Sequence, residues 1–181
     1  MKVNKTFIKD LLIIEPQLYS DNRGFFFESY NKKILDNFLK INFIQDNESK
    51  SIKGVIRGLH FQSPPFDQTK LVRCVNGKIL DIAVDLRKNS KTYGKYFSIE
   101  LSSENNKQLL IPKGFAHGFQ VLSEEAIINY KVDEYYNPNS DSGLIWNDKD
   151  LSIEWHNDIK PILSKKDLKL TSFKDFKSPF L

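Results

Sequence analysis

The stretch that decides the fold is His60-Phe-Gln-Ser-Pro-Pro-Phe-Asp-Gln-Thr-Lys70. A histidine opens it and a lysine closes it, with a proline-rich turn between two runs that resemble strands. In the strand that follows, Lys70 shares one face with Val72 and Cys74. A lysine on an apolar face points into an apolar space, and buried lysines are rare unless paired. The alternative is a lysine at the edge of the strand whose ammonium group reaches out to solvent.

A second stretch, Ile111-Pro-Lys-Gly-Phe-Ala-His-Gly-Phe119, supplies another histidine. Together, the two stretches and their flanking glycines resemble the two sequence boxes of the cupins. Metal-binding cupins carry His, His, Glu and His at four positions, which in this chain are His60, Gln62, Lys70 and His117. A lysine in place of a carboxylate repels a divalent cation and attracts an anion. We therefore expect a pocket for a negatively charged ligand and no metal ion.

Length and composition predict one globular domain spanning residues 1–181. Hydrophobic residues make up 40% of the chain, enough for a sizeable core. The net charge of +4 suits a phosphorylated ligand but is too diffuse to indicate nucleic-acid binding. The single cysteine, Cys74, excludes an intramolecular disulfide and fits a reducing compartment. The apolar run Leu11–Ile14 is too short for a signal peptide or a membrane span, so we expect a cytoplasmic protein without membrane contact.

Short strands dominate the predicted secondary structure. A turn at Asp21-Asn-Arg-Gly24 precedes a strand at Phe25–Tyr30, and the best helix is Asn31–Leu39, with Asn31 as its cap. Asn76-Gly77 predicts a hairpin after the strand Leu71–Val75. Further strands are expected at Ile79–Leu86, Tyr96–Leu101, Gln108–Ile111, Gly118–Leu122 and Ala126–Val132. This pattern predicts a mainly β, cupin-type jelly-roll sandwich or barrel with a few short helices.

The strand Ile79–Leu86 alternates, with its even-numbered apolar residues on one face and Asp81, Ala83 and Asp85 on the other. In the predicted hairpin, Asp81 would face Lys70 and is a candidate partner for its ammonium group. From about residue 158 onward we expect a surface tail with one short helix.

Two residues have the chemistry of an acid–base pair. The neighbours of His60, which include Arg57 and Lys70, favour a functional histidine over a structural one. Tyr130 shares a strand face with apolar residues, so it is either a packed core tyrosine or a general acid at the mouth of the barrel. The sequence alone leaves both possibilities open for Tyr130.

Three further charged residues are weaker candidates. Arg23 and Arg57 each neighbour a glycine, which permits close backbone approach to a phosphate that a guanidinium could bind. Asp167 would ordinarily be a surface or helix-start carboxylate, and no local pattern places it near His60.

Taken together, the chain resembles the dTDP-4-dehydrorhamnose 3,5-epimerases, a family of nucleotide-sugar epimerases. The resemblance covers nearly the whole chain in order. The matching stretches are Asp21–Glu28, Phe43–Asn47, Gly54–Gln62, Lys70–Arg73, Asp81–Arg87, Ser90–Gly94, Ile111–Phe119, Tyr130-Lys131, Tyr135–Pro138, Ile145–Asp148 and Leu163–Asp167.

This resemblance implies a cofactor-free homodimer and a role for each matched residue. His60 would be the general base, oriented by Asp167, and Tyr130 the acid on the opposite face of the sugar. Lys70, paired with Asp81, would stabilise the enolate. The implied substrate-binding residues are Arg23, Phe26, Glu28, Gln45, Asn47, Arg57, His117, Phe119, Tyr136 and Lys166. The segment from Arg23 to Glu28 would reach into the neighbouring subunit's pocket, so that each active site is shared.

The expected activity is epimerisation of a 4-keto-6-deoxy nucleotide sugar at carbons 3 and 5. An enzyme that inverts one carbon would carry the same residues, and guanosine or cytidine could replace thymidine. A non-catalytic cupin that binds a sugar or anion is disfavoured, because a binding protein has no need of titrating groups such as His60 and Tyr130. A metal-dependent cupin oxygenase is disfavoured by Gln62 and Lys70 at two ligand positions.

Overall fold

The computed structural model describes all 181 residues, which form thirteen β-strands and very little helix. The helix α1 spans Lys32–Leu35, and a short 3-10 helix spans Asp167–Lys169. The strands are β1 (Lys2–Lys5), β2 (Leu12–Glu15), β3 (Tyr19–Asp21), β4 (Gly24–Phe26), β5 (Gln45–Ile52), β6 (Ile56–Gln62), β7 (Lys70–Asn76), β8 (Lys78–Asp85), β9 (Tyr96–Ser102), β10 (Gln108–Ile111), β11 (Phe115–Val121), β12 (Glu125–Val132) and β13 (Asp141–Gly143).

Two antiparallel sheets make up the body of the fold. One has the strand order β1-β2-β10-β7-β12-β5 and the other β13-β6-β11-β8-β9. The alternating pattern of each strand turns one set of apolar side chains, such as Val72, Ile79 and Ile128, into a shared core. The prediction of a mainly β jelly-roll sandwich is confirmed. None of the helices has the length and apolar character needed to cross a bilayer.

The turn at Asn76-Gly77 does not close a hairpin, so that prediction is wrong. β7 and β8 belong to different sheets, and the chain crosses from one to the other at this turn. Gly77 has a φ of 77°, and a Cβ there would lie 2.1 Å from the carbonyl oxygen of Glu125. The glycine is therefore required by the crossing itself. Asp81 consequently lies on the opposite sheet from Lys70, not on a neighbouring strand.

Both faces of β8 are buried, so its apolar residues pack on two sides. Ile79 and Ala83 face the core between the sheets, whereas Ile82 and Val84 pack on the other side. That outer side is covered by side chains from the C-terminal third of the chain: Leu144, Trp146, Leu151, Trp155, Leu163, Phe173, Phe176 and Phe180. The description of the segment after about residue 158 as a surface tail is therefore wrong in part, since it buries Asp167 and Phe180.

Two predicted elements are shorter than expected. Asn31 caps α1 by accepting a hydrogen bond from the Ile34 amide at 3.2 Å, but the helix ends at Leu35 because turns follow it. The strand predicted at Phe25–Tyr30 ends at Phe26, because β4 pairs only with the three residues of β3.

Candidate active site

Two adjoining cavities lie between the sheets at one end of the sandwich. Their volumes are about 510 Å³ and about 350 Å³. Four residues line both of them and so mark their junction: His60, Lys70, Tyr130 and Lys166. The side chains with acid–base chemistry therefore lie together, although they come from β6, β7, β12 and the C-terminal segment.

The His60 imidazole is held by Asp167. Its Nε2 atom lies 2.6 Å from the Asp167 carboxylate, and the Asp167 amide in turn donates to the Ser164 hydroxyl at 3.0 Å. With Nε2 bound to a carboxylate, Nδ1 is the ring nitrogen left to accept a proton. Burial lowers the pKa of His60, although Asp167 opposes this effect, and the charges of Lys70 and Lys166 lower it further. A neutral imidazole with an oriented lone pair can act as a general base at neutral pH.

Lys70 brings an unpaired ammonium group to the cavity. It begins β7, opposite Val132 of β12, and its Nζ atom forms no hydrogen bond or ion pair within the chain. Burial lowers the pKa of Lys70 to about 8, while the negative charges of Asp81 and Asp141 act to raise it. An ammonium group without a protein partner is free to face an anionic oxygen of a ligand.

The expected direct pairing of Lys70 with Asp81 is absent from this structure. Asp81 instead accepts a hydrogen bond from His117 Nε2 at 2.8 Å, and its second carboxylate oxygen is buried without a partner. Because Asp81 lies on the other sheet, it acts on Lys70 only through its charge across the core.

Tyr130 extends from β12 with a hydroxyl that forms no hydrogen bond within the chain. Burial raises the pKa of this phenol, which the nearby Arg57 partly offsets. The strand register places Asn47 opposite Tyr130, and Gln45 donates to Asn47 at 2.7 Å. The hydroxyl therefore stays protonated near neutral pH and faces the cavity beside two amides.

Other predicted residues lie on the cavity walls. Arg57 is held by a hydrogen bond of 3.0 Å from Nε to the Ser51 hydroxyl. His117 and Phe119 lie on β11 beside β6 and line the larger cavity. Tyr136 and Lys166 line the smaller one, where both contact Asp141.

Asp141 is a site residue that the sequence analysis missed. It opens the edge strand β13, directly opposite Gln62 of β6, and lines the smaller cavity. It falls in the gap between two matching stretches, Tyr135–Pro138 and Ile145–Asp148. No local pattern in the sequence distinguishes it from a surface carboxylate.

Three predicted binding residues lie outside these cavities. Arg23, Phe26 and Glu28 belong to the β3–β4 hairpin and the segment after it, and Phe26 is 67% exposed. Arg23 forms an ion pair of 2.6 Å with Asp21 at the tip of this hairpin. Within this chain these residues do not line the site.

The four positions that bind metal in other cupins make different contacts here. His60 and His117 each pair with a carboxylate, and Lys70 is a cation. The Gln62 amide donates to the carbonyls of Phe66 and Tyr135, and its oxygen accepts from the Asn137 amide. Gln62 thus ties two loops to β6. No group of three or more His, Cys, Asp or Glu side chains is arranged to hold a metal ion.

The family model described as dTDP-4-dehydrorhamnose 3,5-epimerase matches residues 5–175. A relative of that name from Shigella flexneri is 51% identical over 177 residues, which cover 97% of each chain. The enzyme structure from Bacillus anthracis, with TDP and PPi bound, is 51% identical and covers 94% of this chain and 98% of its own, with a TM-score of 0.91. A Legionella pneumophila epimerase in complex with dTDP-4-keto-L-rhamnose is 43% identical, with coverages of 97% and 94% and a TM-score of 0.93. By sequence and by structure, the chain belongs to the dTDP-4-dehydrorhamnose 3,5-epimerase family.

Proposed function

We propose that this protein converts dTDP-4-dehydro-6-deoxy-D-glucose into dTDP-4-dehydro-L-rhamnose by inverting carbons 3 and 5. The observation that carries the proposal is the set of groups around the cavities: an oriented imidazole, an unpaired ammonium and a free phenol. Membership of the family and the complex of the Legionella relative with dTDP-4-keto-L-rhamnose support this choice of substrate.

The chemistry follows from the carbonyl group at carbon 4, which acidifies the hydrogens on carbons 3 and 5. Nδ1 of His60 removes one of these protons, and the electron pair of the C–H bond moves into an enolate on the carbonyl oxygen. The Lys70 ammonium stabilises this oxyanion; one such donor contributes about 3–4 kcal/mol to the transition state. The Tyr130 hydroxyl then returns a proton to the carbon from the opposite face. Exchange with solvent resets both groups, and the same steps invert the second carbon.

The remaining residues are assigned to substrate binding. Arg57 and Lys166 contact the diphosphate, because cationic groups at a cavity mouth suit phosphate oxygens. The amides of Gln45 and Asn47, together with Tyr136, line the nucleotide-sugar path. His117 and Phe119 shape the sugar pocket.

The protein functions as a homodimer in which each active site is shared. Arg23, Phe26 and Glu28 extend from the neighbouring subunit to the diphosphate and the base. The exposed aromatic side chains of the β3–β4 hairpin, Tyr19, Phe25 and Phe26, support this assignment, because large apolar groups in one patch indicate a contact surface. The lone buried thiol of Cys74 is consistent with a reducing cytoplasm.

The test is incubation with dTDP-4-dehydro-6-deoxy-D-glucose in heavy water, followed by NMR of each carbon. Deuterium at carbons 3 and 5 with accumulation of the L-configured product supports the proposal. Exchange at one carbon identifies a single-centre epimerase instead. Absence of exchange with dTDP-, GDP- and CDP-linked 4-keto sugars identifies a non-catalytic cupin. A sample without protein measures spontaneous exchange.

A further inference from the structure

Asp141 binds two side chains at the edge of the site, the hydroxyl of Tyr136 and the ammonium group of Lys166. Its Oδ2 atom accepts a hydrogen bond from the Tyr136 hydroxyl at 2.9 Å and another from Lys166 Nζ. The Asp141 side chain is 12% exposed and that of Lys166 is 54% exposed, so the contact lies at the edge of the site, with its carboxylate buried and its ammonium group partly in solvent. Burial would raise the pKa of Asp141, but the two hydrogen bonds and the charge of Lys166 outweigh it and lower the pKa.

The position of Asp141 links this ion pair to the base. β13 pairs with β6, so that Asp141 lies opposite Gln62 and Gly143 lies opposite His60. On the other side of the contact, Lys166 immediately precedes Asp167 in the chain. The ion pair between Asp141 and Lys166 therefore links the segment that carries Asp167 to β13, which is the strand paired with β6 and His60.

We propose that Asp141 is a positioning residue of the epimerase site, which holds Lys166 and thereby keeps Asp167 in place against His60. This inference rests on the proposed function for its effect on turnover, but not for its effect on the His60–Asp167 hydrogen bond. Asp141 does not touch the reacting carbons. It acts through the backbone that connects Lys166 to Asp167.

The experiment uses Asp141→Asn, which keeps the shape of the side chain and removes its charge. The chain has three histidines, so selective 15N labelling of histidine resolves the ring N–H of His60. We expect this signal, shifted downfield in the wild type by the 2.6 Å contact with Asp167, to broaden or move upfield in Asp141→Asn and in Lys166→Met. Turnover should fall roughly tenfold in Asp141→Asn, since small misplacements of catalytic groups cost up to about 100-fold. Affinity for dTDP should not weaken.

The matched control is Asp150→Asn, which makes the same charge change at an exposed carboxylate without a side-chain partner. It should leave both the ring signal and turnover unchanged. The double variant of Asp141→Asn and Lys166→Met should turn over no more slowly than the slower single variant, because both act on one contact.

In Asp141→Asn, an unchanged ring signal, a turnover equal to that of the control or weaker dTDP binding would each overturn the inference. Multiplied losses of turnover in the double variant would also overturn it. If Asp141→Asn does not fold, Lys166→Met and Tyr136→Phe replace it, since both change exposed side chains. In that case the inference is overturned if Lys166→Met and Tyr136→Phe both match the control in the His60 ring signal and in turnover. Failure of the proposed function appears separately, as a wild-type protein that exchanges neither carbon, and the ring signal still tests the role of Asp141.

Discussion

His60 and Tyr130 lie on different sheets of the sandwich and line the same cavities. His60 belongs to β6 of the five-stranded sheet, and Tyr130 to β12 of the six-stranded sheet. A sugar ring between the sheets would therefore have one group on each side. Inversion of a carbon requires a proton to leave from one face and return to the other, and this arrangement provides for both steps.

Replacement of His60 by asparagine tests the base. His60→Asn should lower deuterium incorporation at both carbons by roughly 100- to 10,000-fold, because general-base catalysis contributes about that much. Affinity for dTDP, measured by calorimetry, should stay nearly unchanged, since the imidazole does not bind the diphosphate. Wild-type exchange in this variant would exclude His60 as the base. Asp167→Asn should be milder, because it removes only the group that orients the ring.

Replacement of Tyr130 by phenylalanine separates proton removal from inversion. The ring that packs against the core remains, and only the hydroxyl is lost. His60 and Lys70 should still form the enolate, so deuterium exchange should persist while formation of the L-configured product falls at least about 100-fold. NMR of the product mixture distinguishes the two. If Tyr130→Phe inverts both carbons at the wild-type rate, another acid or water delivers the proton.

The pH dependence of kcat/KM should be bell-shaped. His60 must be neutral to accept a proton, so activity falls at acid pH as its pKa, lowered below 6.5, is crossed. Lys70 must be protonated to stabilise the enolate, so activity falls again as the pH rises past about 8. In Lys70→Arg the guanidinium stays charged, and the alkaline limb should disappear even though the rate is lower. An alkaline limb that persists in Lys70→Arg would assign it to another group.

Subunit complementation tests the shared active site. His60→Asn leaves the hairpin intact, whereas Arg23→Glu damages only the hairpin, and each variant alone should be inactive. When both are co-expressed, half of the dimers combine one of each, and one of their two sites has both an intact His60 and an intact hairpin. Activity should then recover to about one quarter of the wild type. No recovery, or a monomer in sedimentation, would contradict the shared site.

Asp85 should be a main determinant of stability rather than of activity. Its carboxylate is fully buried and accepts hydrogen bonds from the Arg87 guanidinium at 2.9 Å, Ser90 at 2.6 Å and Thr92 at 2.7 Å. Asp85→Asn should lower the free energy of unfolding in urea by about 3 kcal/mol, as expected when one partner of a buried ion pair is removed. Asp150→Asn should change it by less than about 0.5 kcal/mol.

The same variant should reveal the pH linkage of Asp85. Burial would raise the pKa of Asp85, but its hydrogen bonds from Arg87, Ser90 and Thr92 lower it. Its contribution is therefore present above the unfolded pKa near 3.8 and is lost as the pH falls through the lower folded value. The stability gap between wild type and Asp85→Asn should shrink below about pH 4. A gap that stays constant with pH would show that folding does not lower the pKa of Asp85.

Local patterns predicted much of the fold but not its long-range pairing. Alternation in Ile79–Leu86 located a strand whose two faces are both buried, as β8 is. Asn76-Gly77 marked a position that needs a positive φ, but a dipeptide does not specify which strand pairs with which. The predictions of a hairpin and of a direct Lys70–Asp81 pair were wrong for the same reason. Both depended on strand partners that only the whole sandwich determines.

The site could be predicted where its residues fall in one motif. His60, Lys70 and His117 follow from the cupin boxes, and the structure places all three on one cavity. Asp167 is 107 residues from His60, and only the family resemblance suggested it. Asp141 has no motif of its own. Its role depends on its register opposite Gln62, which no local pattern encodes.

The contact between His60 and Asp167 also sets an order of events during synthesis on the ribosome. The strand that bears His60 leaves the exit tunnel long before Asp167 is added to the chain. Until then the imidazole has no carboxylate to fix its tautomer, even if the strands around it have already paired. A nascent chain, or one terminated before Asp167, therefore lacks the carboxylate that orients the proposed base. If His60 is that base, turnover should begin only after the C-terminal segment has been made.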